Sequence, residues 1–292
     1  AFNHPLNLII HQVCPAVAAG CPIIIKPALD TPATCYEFIK LLMEAGLPKE
    51  FCQMINIDNH AITHKLVSDP RISFFSFIGS AKVGWKLKSM LSPGTKCAME
   101  HGGVGSVIID KGTNLKKILP SILRGAFYHA GQVCVSIQKV IIHKDLVDQF
   151  TSMLRDSVKK VKIGDPRDIN TDVGPLIRPS EVTRVDKVVK RAIKDGAELI
   201  CGGAIKSKTT YECTVLKDPK ETSEISKCEI FGPVLSIYSY SLIDDAISMA
   251  NHKEYSFQSS IYTKNIDVAM LCFEKLEAKS VFVNEQTAFR VD

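Results

Sequence analysis

The feature that most restricts how this chain can fold is a short, unbroken apolar run, Pro22-Ile23-Ile24-Ile25-Lys26, followed at once by a helix pattern marked at both ends. Three isoleucines without polar alternation read as a strand covered on both faces, as strands in parallel sheets are. Thr31 stands where a cap is expected and Pro32 takes the first helical position. Phe38, Leu41, Leu42 and Ala45 then recur at helical spacing, and Gly46 and Pro48 close the segment. The crossover that parallel strands require is therefore written directly after the strand.

The alternation repeats. Residues 52–57 read as a strand, 62–67 as a helix and 73–78 as a buried strand. Gly79-Ser80 opens a helix with Val83, Leu87, Met90 and Leu91 on one face, and 96–100 returns to the sheet. The pair Gly102-Gly103 separates a second unit, in which strands at 106–110, 140–143, 234–240, 259–263 and 280–284 alternate with helices. One of these, with apolar positions Leu119, Ile122, Leu123, Ala126, Phe127 and Ala130, is expected to stop at Gly131. Residues 204–211 read as a polar loop. The architecture expected is α/β: a parallel, doubly wound domain over 1–101 followed by an α/β domain over 102–292.

Composition bears on partners and compartment. The longest apolar stretch, 13–25, is broken by Pro15, Gly20 and Pro22, which argues against a membrane span. The net charge of +5 is scattered rather than gathered into a stripe, so nucleic acid is not an expected partner and small molecules are. Ten Cys without a C-x-x-C pair, and no Asn-x-Ser/Thr acceptor, argue against structural zinc, any other metal site or a disulfide framework, and for a reducing cytoplasm. The chain opens inside the motif Ala1-Phe2-Asn3-His4-Pro5-Leu6-Asn7 and stops at Phe289-Arg290-Val291-Asp292 without a closing helix. It is therefore expected to be an internal piece lacking an N-terminal portion and a C-terminal tail.

Neither G-x-G-x-x-G nor a Walker loop is present. A phosphate would need the strand-to-helix turn at Gly79-Ser80, where free N–H groups and the positive helix end favour an anion. Cys134 lies just past the stop at Gly131, where a thiol can be exposed, whereas Cys14, Cys21, Cys35, Cys52 and Cys272 sit among apolar residues and read as small buried hydrophobes. Glu100 ends a strand at a glycine turn, a placement open to a general base or to a plain solvated terminus.

In one order the chain carries Phe2-Asn3-His4-Pro5-Leu6-Asn7-Leu8, Ile25-Lys26-Pro27, Phe77-Ile78-Gly79-Ser80, Glu100-His101-Gly102-Gly103, Gly131-Gln132-Val133-Cys134, Gly164-Asp165-Pro166, Asp172-Val173-Gly174-Pro175-Leu176-Ile177 and Glu229-Ile230-Phe231-Gly232-Pro233. The ordered set resembles the aldehyde dehydrogenase superfamily over essentially the whole chain. That resemblance implies an NAD(P)-binding domain at 1–101, a catalytic domain at 102–292 and oxidation of a small-molecule aldehyde to a carboxylic acid, in a parent that is a homo-oligomer. It implies Cys134 as nucleophile, Glu100 as the base that activates hydrolytic water, and Asn3 with the Cys134 N–H as oxyanion donors. It assigns Lys26 to the adenosine ribose, Ser80 with Gly79 to the pyrophosphate, Glu229 to the nicotinamide ribose and Phe231 to the nicotinamide.

Three departures stand out: Leu29, with Asp30 one residue late, where the family often has Glu; His101 in place of an apolar residue; and Asp58-Asn59-His60 in place of a glycine-containing turn. The first leaves NAD and NADP both open. His4 and Arg290 are the groups expected to favour an aldehyde with a carboxylate, phosphate or phosphonate. A cofactor-independent thiol esterase using Cys134 and Glu100, or an inactive scaffold, are the alternative readings.

Overall fold

The computed structural model describes residues 1–288, so Arg290 lies outside the described residues. The chain divides into two compact units, Ala1–His101 and Gly102–Asp292.

The first unit runs α1 (Pro5–Ala18), β1 (Ile23–Ile25), α2 (Pro32–Glu44), β2 (Cys52–Met54), α3 (His60–Val67), β3 (Phe74–Gly79), α4 (Ala81–Lys88), β4 (Lys96–His101). β1 pairs with β2 and β3 with β4, both parallel, as two separate two-stranded sheets among the described residues. Ile23 and Ile25 pack with Ile9, Val13, Cys35, Ile39 and Cys52, whereas Ile24 is 44% exposed, so β1 is covered on one face within this unit rather than on both.

Several sequence expectations are corrected here. α1 carries no clear helix signal in the sequence, because Pro15 lies inside it. Thr31 occupies the cap position of α2, but its hydroxyl makes no cap hydrogen bond. α4 stops at Lys88, leaving Val83 exposed and Met90 and Leu91 beyond the helix, because the chain reaches Gly84 and Leu87 as the buried face and then turns. Asn59 explains one departure: its side chain accepts from the Ala61 and Ile62 N–H groups and caps α3, so a capped helix begins where a glycine turn was expected.

The second unit contains β5 (Gly105–Ile109), α5 (Leu115–Phe127), β6 (Ile137–His143), α6 (Lys144–Val158), α7 (Pro179–Lys194), β7 (Glu198–Cys201), β8 (Thr214–Lys217), α8 (Glu224–Lys227), β9 (Val234–Tyr240), α9 (Ile243–Asn251), β10 (Gln258–Tyr262), α10 (Ile266–Lys275) and β11 (Ser280–Val283). Its sheet order is β11-β10-β5-β6-β9-β8-β7, parallel throughout except for β7 against β8. Val107, Ile109, Val140 and Ile142 pack under α5, α6 and α7, while Ile108, Ile141, Tyr238 and Ile261 pack under α9 and α10. Each such side chain, fully withdrawn from water, contributes about 1.5–3 kcal/mol. Both faces covered is the doubly wound condition, met here by the central strands. β7, β8 and α8 carry no distinct sequence signal, being 4 residues each with charged residues at their ends.

β6 begins three residues earlier than its apolar run suggests, and all seven of its residues are buried, Gln138 and Lys139 included. The Lys139 ammonium donates to the Met249 carbonyl (3.1 Å) and lies over the Tyr238 ring; Lys253 donates to Ser259 Oγ (3.2 Å). Burial pushes Lys139 down to about 8 and, with the Lys139 charge adding to it, Lys253 to about 7. An unfolded Lys titrates near about 10.4, so between these values the unfolded chain binds more protons and stability rises with pH; it is complete above the unfolded value and flattens below the folded ones. Each lysine is therefore expected to add to the urea midpoint a climb of at most about 1.4 kcal/mol per pH unit between about pH 7 and 8.5, set against the fall that comes from unfolded thiols, half ionised near about pH 8.5, and from the raised Glu229 carboxyl. Lys253→Met should flatten that climb; an unchanged slope would show that Lys253 keeps its proton in the fold.

Candidate active site

α5 ends at Phe127, four residues before the expected glycine stop. The chain then makes a 3-10 turn, Tyr128–Gly131, in which His129 (φ 57°), Ala130 (φ 56°) and Gly131 (φ 70°) are successively left-handed. For His and Ala this conformation is unfavourable and persists only when the surroundings fix it. Gln132, buried, is one such restraint. Its Nε2 donates to the His129 carbonyl (3.0 Å) and the Pro175 carbonyl (3.2 Å), and its Oε1 accepts from the Ile177 N–H (2.9 Å). The Ser136 hydroxyl bonds the Gly125 and Ala126 carbonyls (3.2 Å each), and Thr287 Oγ1 donates to the Val135 carbonyl (2.8 Å). At Gly131 a Cβ would overlap the Gly232 carbonyl oxygen, so only glycine allows the two loops this approach. Within the loop Val133 and Val135 are buried while Cys134 is half-buried, a thiol held at the amino end of β6 by neighbours fixed on both sides.

The other cysteines divide differently from the sequence expectation. Cys35, Cys52 and Cys272 are buried, with their thiols pushed up by burial, Cys35 and Cys272 to about 11. Cys14 and Cys21 are exposed, because α1 turns the first outward and the second lies in the turn after it.

The loop between α8 and β9 carries Glu229 and Phe231. Phe231 is left-handed (φ 50°), and Arg184, from α7, donates to the Ile230 carbonyl (2.6 Å) while its Nε bonds Glu181 (2.8 Å). Burial raises the Glu229 carboxyl to about 7, against the Gly103 N–H that favours its charge. Its Oε1 is buried with no hydrogen-bond partner among the described residues, and a Cβ on Gly102 would overlap it. A buried acceptor in this state calls for a donor from elsewhere.

In the first unit the carboxyl ends of β3 and β4 lie side by side, with Ile78 opposite Glu100 and Gly79 opposite His101. Ser80 stands at the cap of α4, its side chain making no cap bond, and the helix starts at Ala81. The register thus places Glu100 on the strand next to the one that ends at the Gly79-Ser80 turn. Lys26 is exposed one residue beyond β1, and Asn3 and His4 are half-buried ahead of α1, His4 in its cap position. His101 lies against Trp85, ring centroids 6.2 Å apart. Among the described residues no group of three or more His, Cys, Asp or Glu could hold a metal ion, and no helix is long and apolar enough to cross a membrane. The sequence reading missed one residue that the geometry makes prominent, Gln138. The available signal was an amide inside a run of otherwise apolar strand residues.

A sequence model of the aldehyde dehydrogenase family matches residues 1–292, the whole chain. The chain belongs to the aldehyde dehydrogenase family. It is 34% identical over 291 residues to the 3-sulfolactaldehyde dehydrogenase of Priestia aryabhattai, covering 100% of this chain and 61% of that protein. It is 34% identical over 295 residues to the lactaldehyde dehydrogenase of Methanococcus vannielii, covering 100% of this chain and 63% of that one. Among solved structures, the glyceraldehyde-3-phosphate dehydrogenase of Methanocaldococcus jannaschii, complexed with NADP, superposes with a TM-score of 0.93 at 32% identity, over 98% of this chain and 63% of that chain. The aldehyde dehydrogenase chain thus spans about three-fifths of the length of these relatives. Its fold is theirs over that span, α/β with sheets that are parallel except for β7 against β8. At the position where the family often has Glu, Leu29 is 45% exposed.

Proposed function

We propose that this chain forms part of an NAD(P)-dependent enzyme that oxidises a short 2-hydroxyaldehyde with an anionic terminus to the carboxylic acid. The observation that carries the reading is the loop of Cys134: a half-buried thiol preceded by three left-handed residues and restrained by Gln132, Ser136 and Thr287. Such restraint is what a nucleophile needs if its attack geometry is to be fixed before substrate arrives. The three relatives support the substrate class, since 3-sulfolactaldehyde, lactaldehyde and glyceraldehyde 3-phosphate share a hydroxyl beside the aldehyde and two of them end in an anion.

In the proposed reaction the Cys134 thiolate adds to the aldehyde carbon, forming a C–S bond, while the Asn3 amide and the Cys134 N–H hold the resulting oxyanion. The dinucleotide, when bound, supplies the acceptor for the hydride that leaves this carbon. The thioester that remains is cleaved by water: Glu100 takes the water proton, the oxygen attacks the acyl carbon, and the thiolate departs. Lys26 and the N–H groups at Gly79-Ser80 hold the adenosine ribose and pyrophosphate. Glu229 and Phe231 hold the nicotinamide end. The orphaned, buried Oε1 of Glu229 suits an acceptor for a ribose hydroxyl. His4 and Arg290 attract the anionic terminus. Ten free thiols fit a reducing compartment, for which the cytoplasm is proposed, and the exposed Ile266, Met270 and Phe273 on α10 fit a homo-oligomer.

The test is absorbance of reduced nicotinamide in the complete protein, with NAD and NADP in turn, across lactaldehyde and its sulfonated and phosphorylated counterparts. Faster turnover of the anionic aldehydes is expected. Reduction of neither cofactor, with hydrolysis of an activated ester at Cys134, would establish the thiol esterase instead.

A further inference from the structure

We infer that Gln138 is a positioning residue that sets the loop carrying Glu229 and Phe231, and through it the seat of the nicotinamide end of the cofactor; the inference rests on the dehydrogenase reading above. Gln138 is 5% exposed, on the central strand β6, four residues beyond Cys134. Its Nε2 donates to the Ile225 carbonyl (3.0 Å) and the Cys228 carbonyl (2.7 Å), and its Oε1 accepts from the Ile230 N–H (2.8 Å). One planar amide thus ties three backbone groups of a segment that has little regular structure of its own, a single short turn of helix followed by extended chain. Those groups lie on either side of Glu229 and immediately before Phe231.

The segment needs such a tie. Phe231 is left-handed, a conformation a bulky residue keeps only under restraint. Arg184 holds the same loop from the opposite side through the Ile230 carbonyl. Ile230 is therefore held through both of its backbone polar groups, its N–H by Gln138 of β6 and its carbonyl by Arg184 of α7, and Glu229 and Phe231 are its immediate neighbours. Gln138, Glu229 and Phe231 also line one small cavity together with Val133 and Ser136, which flank Cys134. β6 thus fixes the nucleophile's loop at its amino end and the Glu229 loop at its fourth residue past Cys134. Neither Glu nor Leu reproduces this pattern: an ionised carboxylate has no N–H to give the two carbonyls, and Leu has neither donor nor acceptor.

The experiment uses the complete protein and reads two quantities: the Michaelis constant for the dinucleotide with the hydride-transfer rate, and the rate at which iodoacetamide alkylates Cys134. Gln138→Leu is expected to raise the dinucleotide constant or slow hydride transfer by roughly tenfold or more, while alkylation of Cys134 changes by less than about twofold. Gln138→Glu supplies the second arm: its carboxyl, when protonated, donates one hydrogen bond, so its turnover should fall as pH rises along a limb absent from the unaltered protein. Should Gln138→Leu fail to fold, that limb decides. Equal losses in alkylation and cofactor use, or no loss in either with no new pH limb, would overturn the role. An unaltered protein that reduces no nicotinamide at all would instead remove the dehydrogenase reading, an outcome visible before any variant is made.

Discussion

Cys134→Ala is expected to abolish nicotinamide reduction, lowering turnover by at least roughly a thousandfold, or about 4 kcal/mol of transition-state stabilisation, because in the proposed reaction the carbon–sulfur bond forms at Cys134. The comparison that gives this force is with the other thiols. Cys14 and Cys21 are exposed and could be alkylated as readily as any surface thiol, yet neither sits in a restrained loop, so Cys14→Ala and Cys21→Ala should leave turnover near the unaltered value. Cys272 is fully buried between α10 and the sheet, and Cys272→Ala should cost about 1–2 kcal/mol of stability without touching the chemistry. Steady-state rates and denaturant midpoints on the same four proteins separate these outcomes. Residual turnover above a thousandth of the original in Cys134→Ala would end the covalent mechanism.

Glu100→Gln is expected to allow one hydride transfer and then stall. An amide cannot accept the water proton, so the thioester accumulates: stopped flow should show a burst of reduced nicotinamide close to one per site, then a steady state slower by roughly a hundredfold or more. The substitution keeps the shape of the β4 terminus, where Glu100 faces Ile78 in the parallel register, and should change stability little. Intact-mass measurement on quenched enzyme should find the acyl group on Cys134. Normal turnover with an unmodified thiol would take Glu100 out of the hydrolytic step and return it to the status of a strand end.

Much of the scaffold was legible because its signals are local. The apolar run at 107–109, the spaced apolar face of α5 and the strand 234–240 each fix an element from residues adjacent in sequence, and β9 occupies the range its composition suggests. Elements with weak or mixed signals were not legible: α1, with Pro15 inside it, and β7 and β8, each only 4 residues long with a charged residue at one end. Burial was harder still. The three isoleucines of β1 gave no hint that Ile24 faces outward, and Cys14 and Cys21 looked as apolar in context as Cys35, since which face of an element is covered depends on what packs against it.

The site divides along the same line. By itself the sequence determined the residue types and their order: a thiol after a glycine, a carboxylate at the end of a strand, a Gly-Ser turn opening a helix. These are covalent facts, and the ordered set of motifs places the chain in its family. Only the tertiary structure decided how the thiol is held. Left-handed backbone at His129 and Ala130 is locally unfavourable, and it is fixed by contacts from residues tens of positions away, Pro175 and Ile177 through Gln132. The same holds for Glu229, whose carboxyl is raised to about 7 by burial, and for Gln138, whose amide finds Ile225, Cys228 and Ile230 about ninety residues on. Desolvation and hydrogen-bond partnership depend on distances in space, which sequence separation does not encode.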